Sequence, residues 1–271
     1  MKRVTQFTKI FIIATITCAT LIGCETKGKT EPSTTKKTET SQNNKQSKAF
    51  KNNSSTKATN KALVGYKTIL TRLHNEHILG DKEVKLAESS DIENNQYAIY
   101  DVDKDGQDEL IVLFTTADNE YVQGKIYGYD SKNGEVVEKM SCYPSVHVYD
   151  NGIICDDVTV ALNRSADRLW PYGVWKYDST QKKYINQGYV SEIFADDSET
   201  ESEELDQFPT DKDKDNDKIL YVIKKDNSDM TFLDKDEYEK WHDGFLKDTK
   251  EVKINYKNLT LKNINDSCKE Q

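Results

Sequence analysis

Apolar and polar positions repeat with two different periods along residues 62–271. At the start, Ala62, Tyr66, Ile69, Leu70, Leu73 and His77 recur at three- and four-residue spacing, which predicts one face of a helix ended by Gly80-Asp81. The pattern then changes to short apolar runs, at Tyr97 to Tyr100, Glu109 to Thr115, Gly124 to Tyr129, Val136 to Met140, Val146 to Tyr149 and Ile153 to Ala161. Further runs follow at Tyr172 to Tyr177, Tyr184 to Val190 and Ile219 to Ile223. Asn133-Gly134 and Asn151-Gly152 fall between neighbouring runs as hairpin signals, so these strands pair antiparallel. Leu110 to Phe114 does not alternate, and a strand apolar on both sides is one covered on both, here with a helix on one of them. A second helix starts at Asp234, with Glu237 completing a capping box and Tyr238, Trp241 and Phe245 forming the apolar stripe. The expected fold is α+β, a twisted antiparallel β-sheet with an N-terminal and a C-terminal helix packed on it, in a single domain over 62–271.

The chain upstream follows other rules. Lys2, Arg3 and Lys9 precede a mostly apolar stretch from Ile10 to Leu21, the composition of an export signal. Thr15, Thr17 and Thr20 interrupt that stretch, which falls short of the roughly 20 apolar residues of a membrane span. Leu21-Ile22-Gly23-Cys24 resembles the lipobox of bacterial lipoproteins. That resemblance implies a signal peptide over 1–23 and a lipid-modified Cys24 as the first mature residue, held to the cell membrane and facing outside the cytoplasm. Residues 25–61 carry no apolar side chain larger than alanine except Phe50, and cannot bury enough surface to offset ordering entropy. Residues 24–61 therefore read as a disordered Ser/Thr/Lys-rich tether.

Charge is segregated in the same way. The whole chain carries a formal −9, whereas the tether has nine Lys against three Glu. A basic tether suits an anionic leaflet, and the acidic body it carries is held off it. Nucleic acid is excluded as a partner of that body, because neutralising phosphates requires clustered Lys and Arg. Beyond Cys18 and Cys24, three cysteines remain, Cys142, Cys155 and Cys268, an odd number that argues against a disulfide framework. With a two-residue turn at Asn151-Gly152, Cys155 would face Val148 rather than Cys142.

One run carries chemistry: Asp101-Val102-Asp103-Lys104-Asp105-Gly106-Gln107-Asp108-Glu109. Calcium takes about six to eight oxygens, which carboxylates at alternate positions of a tight loop can supply, with Gly106 allowing the sharp turn. Asp101, Asp103 and Asp105 are the first candidate ligands, Gln107 offers a backbone carbonyl, and Glu109 is the closing carboxylate. An EF-hand would close at position 12, which here is Val112 in a strand. The loop therefore resembles the D-x-D-x-D-G-x-x-D/E loops of integrin-type repeats, where strands flank the ion.

Other features carry less. Asp211-Lys212-Asp213-Lys214-Asp215-Asn216-Asp217 repeats the alternation but has no glycine at its sixth position and Ile219 at its ninth. It reads as part of a solvated, acidic, mobile loop over 196–217. His74 and His77 share a helix face with no third ligand spaced for a metal, which makes them structural. The aromatic concentration of Trp170, Tyr172, Trp175, Tyr177, Tyr184 and Tyr189 reads as strand packing rather than a sugar platform.

Tyr97-Ala98-Ile99-Tyr100-Asp101, running into Asp105-Gly106 and Glu109-Leu110-Ile111-Val112, is similar to the core of a family of uncharacterised Gram-positive lipoproteins. Ile126-Tyr127-Gly128-Tyr129-Asp130 with Asn133-Gly134, and Asp236-Glu237-Tyr238, add to that likeness. It implies surface placement more than an activity. The expected function is a surface-tethered lipoprotein with a calcium-stabilised binding domain and an extracellular protein or glycan partner, rather than an enzyme. The alternatives are a cell-envelope hydrolase of wall or glycan material, and a structural wall lipoprotein without a soluble ligand.

Overall fold

The computed structural model describes residues 59–117, 122–158, 168–195, 208–226 and 228–269. The predicted signal peptide, Cys24 and the tether as far as residue 58 lie outside the described residues, as do residues 159–161 of one predicted strand and 196–207 of the acidic segment. The body opens with helix α1 (Asn60–Glu76), the short strands β1 (Ile78–Leu79) and β2 (Lys82–Glu83), and a 3-10 turn at Ile92–Asn94. Four longer strands follow: β3 (Gln96–Tyr100), β4 (Glu109–Phe114), β5 (Gln123–Asp130) and β6 (Glu135–Cys142). Next come β7 (Ser145–Val148), β8 (Ile154–Asp157), β9 (Tyr172–Asp178), β10 (Lys183–Phe194), β11 (Ile219–Lys224) and β12 (Thr231–Leu233). The chain ends on α2 (Lys235–Leu246), β13 (Lys257–Asn258) and α3 (Leu261–Ser267).

The protein is α+β, with every strand pair antiparallel. Its strands divide into two main sheets, ordered β13-β3-β4-β5-β6 and β12-β11-β10-β9-β8-β7, beside the small β1-β2 hairpin. Each main sheet is largely a meander, so nearest neighbours in sequence are mostly neighbours in space. The break falls at Tyr143-Pro144, after which β7 pairs with β8 instead of continuing the first sheet.

Helix α1 starts two residues earlier than its apolar pattern, because the Thr59 hydroxyl accepts the Ala62 N–H (3.3 Å). Asn60 and Lys61 therefore belong to the helix and not to the predicted tether. The helix stops at His77, in the left-handed region (φ 55°), rather than at Gly80. Its buried face, Leu63, Tyr66, Leu70 and Leu73, packs on Tyr97, Leu110, Val112 and Phe114 of the first sheet, with Ile264 of α3 beside it. The opposite face of that sheet, Ala98, Ile111, Leu113, Ile126 and Met140, packs on Val148, Ile154, Trp175 and Tyr184 of the second. All six residues of β4 are buried, the expected result for a strand covered by a helix on one side and a sheet on the other. Each fully buried Leu, Ile or Phe there contributes about 1.5–3 kcal/mol of hydrophobic stabilisation. On the outer face of the second sheet, Trp241, Phe245 and Leu246 of α2 cover Ile153, Cys155 and Val174.

The Asn151-Gly152 turn differs by one residue from expectation. Gly152 (φ 80°) stands third in a loop closed by the Tyr149 N–H on the Ile153 carbonyl (2.9 Å), and Asn151 Oδ1 takes the Ile153 N–H (3.1 Å). That extra residue shifts the register, so Cys155 pairs with His147 and Val148 with Ile154. Cys142, Cys155 and Cys268 are free thiols. Of the aromatic set, Trp175 and Tyr184 are buried, Trp170 is exposed, and the Tyr172 and Tyr238 hydroxyls meet at 2.9 Å.

His147 joins β7 to its surroundings, with Nδ1 2.8 Å from Glu251 and Nε2 3.1 Å from Asp157. The hydrogen bond to Asp157 leads in raising its pKa to about 9, with Glu251 adding to it against burial. A folded value above the unfolded one, about 6.5, gives a contribution present in full below pH 6.5 and lost as pH rises through 9. Because the ring is over a third exposed, screening keeps the effect to about 1 kcal/mol or less. Melting temperature should fall slightly from pH 6.5 to 9.5, and His147→Gln should remove that slope. An unchanged slope in the variant would mean that this bridge holds nothing together.

Candidate metal centre

Strands β3 and β4 pair through Tyr100↔Glu109 and Ile99↔Leu110, which leaves residues 101–108 as the hairpin loop. Two anchors fix that loop. Val102 is fully buried in the contact between the sheets, and the Tyr66 hydroxyl of α1 donates to the Asp108 carbonyl (2.8 Å). The turn itself uses positive φ at Lys104 (62°) and Gly106 (91°), the second of which suits a residue without a Cβ. Aspartate oxygens then bind the loop's own N–H groups. Asp101 Oδ2 accepts from Gly106 (3.2 Å), Asp103 Oδ1 from Asp105 (3.1 Å), and Asp105 Oδ1 from Gln107 (2.8 Å). Glu109 Oε2 accepts from the Val102 N–H (2.9 Å), so the closing carboxylate is tied back to the loop's start.

This folding brings Asp101, Asp103 and Glu109 together, with carboxylate oxygens within 4.8 Å of one another. Asp105 is exposed and outside that group. Gln107 contributes a feature unlike the expected one: its side-chain Oε1 is buried without a hydrogen-bond partner. Asp101 Oδ1 is likewise buried and unpartnered. A cation bound by the converging carboxylates would satisfy the Asp101 oxygen, since a buried acceptor left unmade costs about 1–3 kcal/mol.

Lys139 of β6 was not among the sequence candidates. Its Nζ lies 2.7 Å from Asp103 Oδ2 and 2.9 Å from Glu109 Oε1, with the side chain 7 % exposed. Burial pulls the ammonium's pKa down, but the Glu109 and Asp103 carboxylates outweigh that and hold it above the ordinary lysine range. Burial pushes Glu109 up to about 7 against the pull of Lys139. Asp101 is raised first by burial, with Asp105 and Asp103 adding to it and Lys104 opposing. Three carboxylates against one ammonium leave a formal −2, the charge that a divalent cation cancels. Space for Lys139 comes from Gly128, where a Cβ would stand 2.1 Å from the lysine Cε. The signal available in the sequence was a lysine inside an apolar strand run, opposite a glycine-bearing strand.

Beside the loop, Asp105, Gln107, Tyr129, Asp130, Tyr177 and Lys182 line an open cleft of about 280 Å³. A second acidic group, Asp213, Asp215 and Asp234, also brings its carboxylate oxygens within 4.8 Å of one another. Either group could hold a metal ion through oxygen ligands. The His74 ring faces Asn75 (2.7 Å) and Glu93 (3.3 Å), and His77 is the helix cap, so that pair is structural. No helix among the described residues is long and apolar enough to cross a membrane. Comparison of the chain with protein-family models, with curated proteins and with solved structures finds no match.

Proposed function

We propose that this protein is a surface lipoprotein, anchored through Cys24, whose body is a calcium-stabilised binding module for an extracellular protein or glycan. One observation carries the calcium reading: Asp101, whose carboxylate converges with those of Asp103 and Glu109, has an Oδ1 that is buried and unpartnered. An all-oxygen set with net negative charge suits a hard divalent ion, and flexible loop ligands suit calcium better than magnesium. Lys139 already satisfies part of the charge, so affinity is weak, on the order of 10⁻⁴–10⁻³ M, as in extracellular modules. The ion orders one wall of the cleft that Tyr129 and Tyr177 line, which is where the binding partner would meet the loop.

Anchoring has its own test. Wild-type protein from a lipoprotein-producing host should partition into the detergent phase of Triton X-114, and Cys24→Ala should remain unlipidated and uncut by the lipoprotein peptidase. Wild type in the aqueous phase would sink this part of the reading. The hydrolase alternative would replace the binding reading if turnover of a glycan or peptide were lost on Glu109→Gln while the melting temperature stayed unchanged.

A further inference from the structure

The alternating acids before β11 admit two registers, and the backbone takes the one that begins at Asp213. In that register the hydrogen bonds of the first loop recur position for position. The sixth residue donates to the first (Lys218 N to Asp213 Oδ2, 3.2 Å), the fifth to the third (Asp217 N to Asp215 Oδ1, 3.1 Å), and the seventh to the fifth (Ile219 N to Asp217 Oδ1, 2.8 Å). Positive φ recurs too, at Asn216 (58°) and Lys218 (69°), matching Lys104 and Gly106. The backbone thus makes the turn without the glycine whose absence argued against an ion here.

Such a loop alone would be a solvated turn. What separates it from one is Asp234, at the N-cap of α2 and 6 % exposed. Its Oδ2 accepts the Lys214 N–H (3.2 Å), which fixes the carboxylate against the loop, while Oδ1 is buried without a partner. Asp213 Oδ1 is also buried without a partner, and the carboxylates of Asp213, Asp215 and Asp234 lie within 4.8 Å of one another. A charged oxygen deprived of both water and a donor is costly, and a cation at the convergence point removes that cost. The first loop closes on a carboxylate nine positions along. Here the closing carboxylate comes instead from beyond β11 and β12.

We propose that Asp213, Asp215 and Asp234 form a second site for a hard divalent cation of the calcium class, tying the loop before β11 to the N-terminus of α2. No histidine or thiol belongs to the group, so soft and borderline metals are disfavoured, and flexible loop carboxylates suit calcium over magnesium. The bound ion would hold α2 against the second sheet at the end where Tyr238 stacks on Tyr221 of β11, ring centroids 4.0 Å apart. The site shares no residue with the Asp101 loop and does not depend on it.

Calcium titration calorimetry of the purified full-length chain, stripped with EDTA, tests this. Wild type should bind two calcium ions. Asp215→Asn, which changes an exposed side chain and leaves packing intact, should weaken one of them about tenfold or more, as loss of one charged ligand does. Asp234→Asn should do the same, and Asp101→Asn should affect the other ion instead. One ion lost with Asp215→Asn but kept in Asp101→Asn would support this site while sinking the first. Wild-type binding by both Asp215→Asn and Asp234→Asn, or a single ion abolished by Asp101→Asn, would overturn it.

Discussion

Replacing Lys139 by methionine should destabilise the calcium-free protein by about 3–5 kcal/mol, the range for removing one partner of a buried charge pair. Methionine keeps most of the side-chain volume, so the loss reports charge rather than a cavity. Asp103 and Glu109, both with almost fully buried side chains, would then face each other and Asp101 with no cation between them. For a body of this size, roughly 2–4 °C of melting temperature goes with each kcal/mol, so the expected drop in EDTA is about 6–20 °C. Calcium should return much of it, because the ion supplies the missing positive charge. The variant should also bind calcium more tightly than wild type, its loop having gone from a formal −2 to −3. Melting curves of both proteins in EDTA and in calcium, run as a double-difference cycle, isolate the coupling between lysine and ion. Equal melting temperatures in EDTA would show that the ammonium is not needed. A calcium response no larger in the variant than in wild type would show that lysine and ion do not share the site. Gly128→Ala offers the same displacement by sterics, since the added Cβ occupies the lysine's path, and should move calcium affinity in the same direction.

Much of this geometry was legible before folding, and the parts that were not have physical reasons. The unbroken Leu110 to Phe114 run announced a strand covered on both faces, because a residue facing water would have interrupted it. Alternating acids with Gly106 announced the loop, because the turn conformation and the ligand spacing are both local properties. Where the strands part into two sheets was not legible. Hairpin signals identify neighbours but carry no mark of the point where one meander stops hydrogen bonding to the next, here Tyr143-Pro144. The Asn151-Gly152 register failed for a finer reason, since the same dipeptide serves two- and three-residue loops and the Asn151 side chain selected the longer. A lysine inside an apolar run marks Lys139 as unusual, but neither it nor Asp234 could be assigned to its acidic group, because each joins from a distant strand or helix and no spacing rule connects them. In the 211–217 stretch, aspartates at every second position leave the register open by two residues. The backbone hydrogen bonds of the folded loop decide it.

If both acidic groups take calcium as proposed, stability should depend on calcium through both together. Without an ion, like charges at short range would oppose folding of the first loop, and the buried Asp101 Oδ1 would have no partner. An ion bound only to the folded state adds RT ln(1 + [L]/Kd), about 2.7 kcal/mol per site at a 100-fold excess over the dissociation constant. One occupied site should therefore raise the melting temperature by about 5–10 °C, and two sites by about twice that. Magnesium should raise it less, because it demands a small octahedral shell and gives up water reluctantly. The measurement is a set of melting curves in EDTA, calcium and magnesium at matched ionic strength, with Asp103→Asn and Asp215→Asn beside wild type. Each variant should keep part of the calcium response, and the double variant should keep almost none. Identical wild-type curves in EDTA and calcium would mean that both loops are acidic turns held by their own hydrogen bonds. A full response in the double variant would place the ion elsewhere in the molecule.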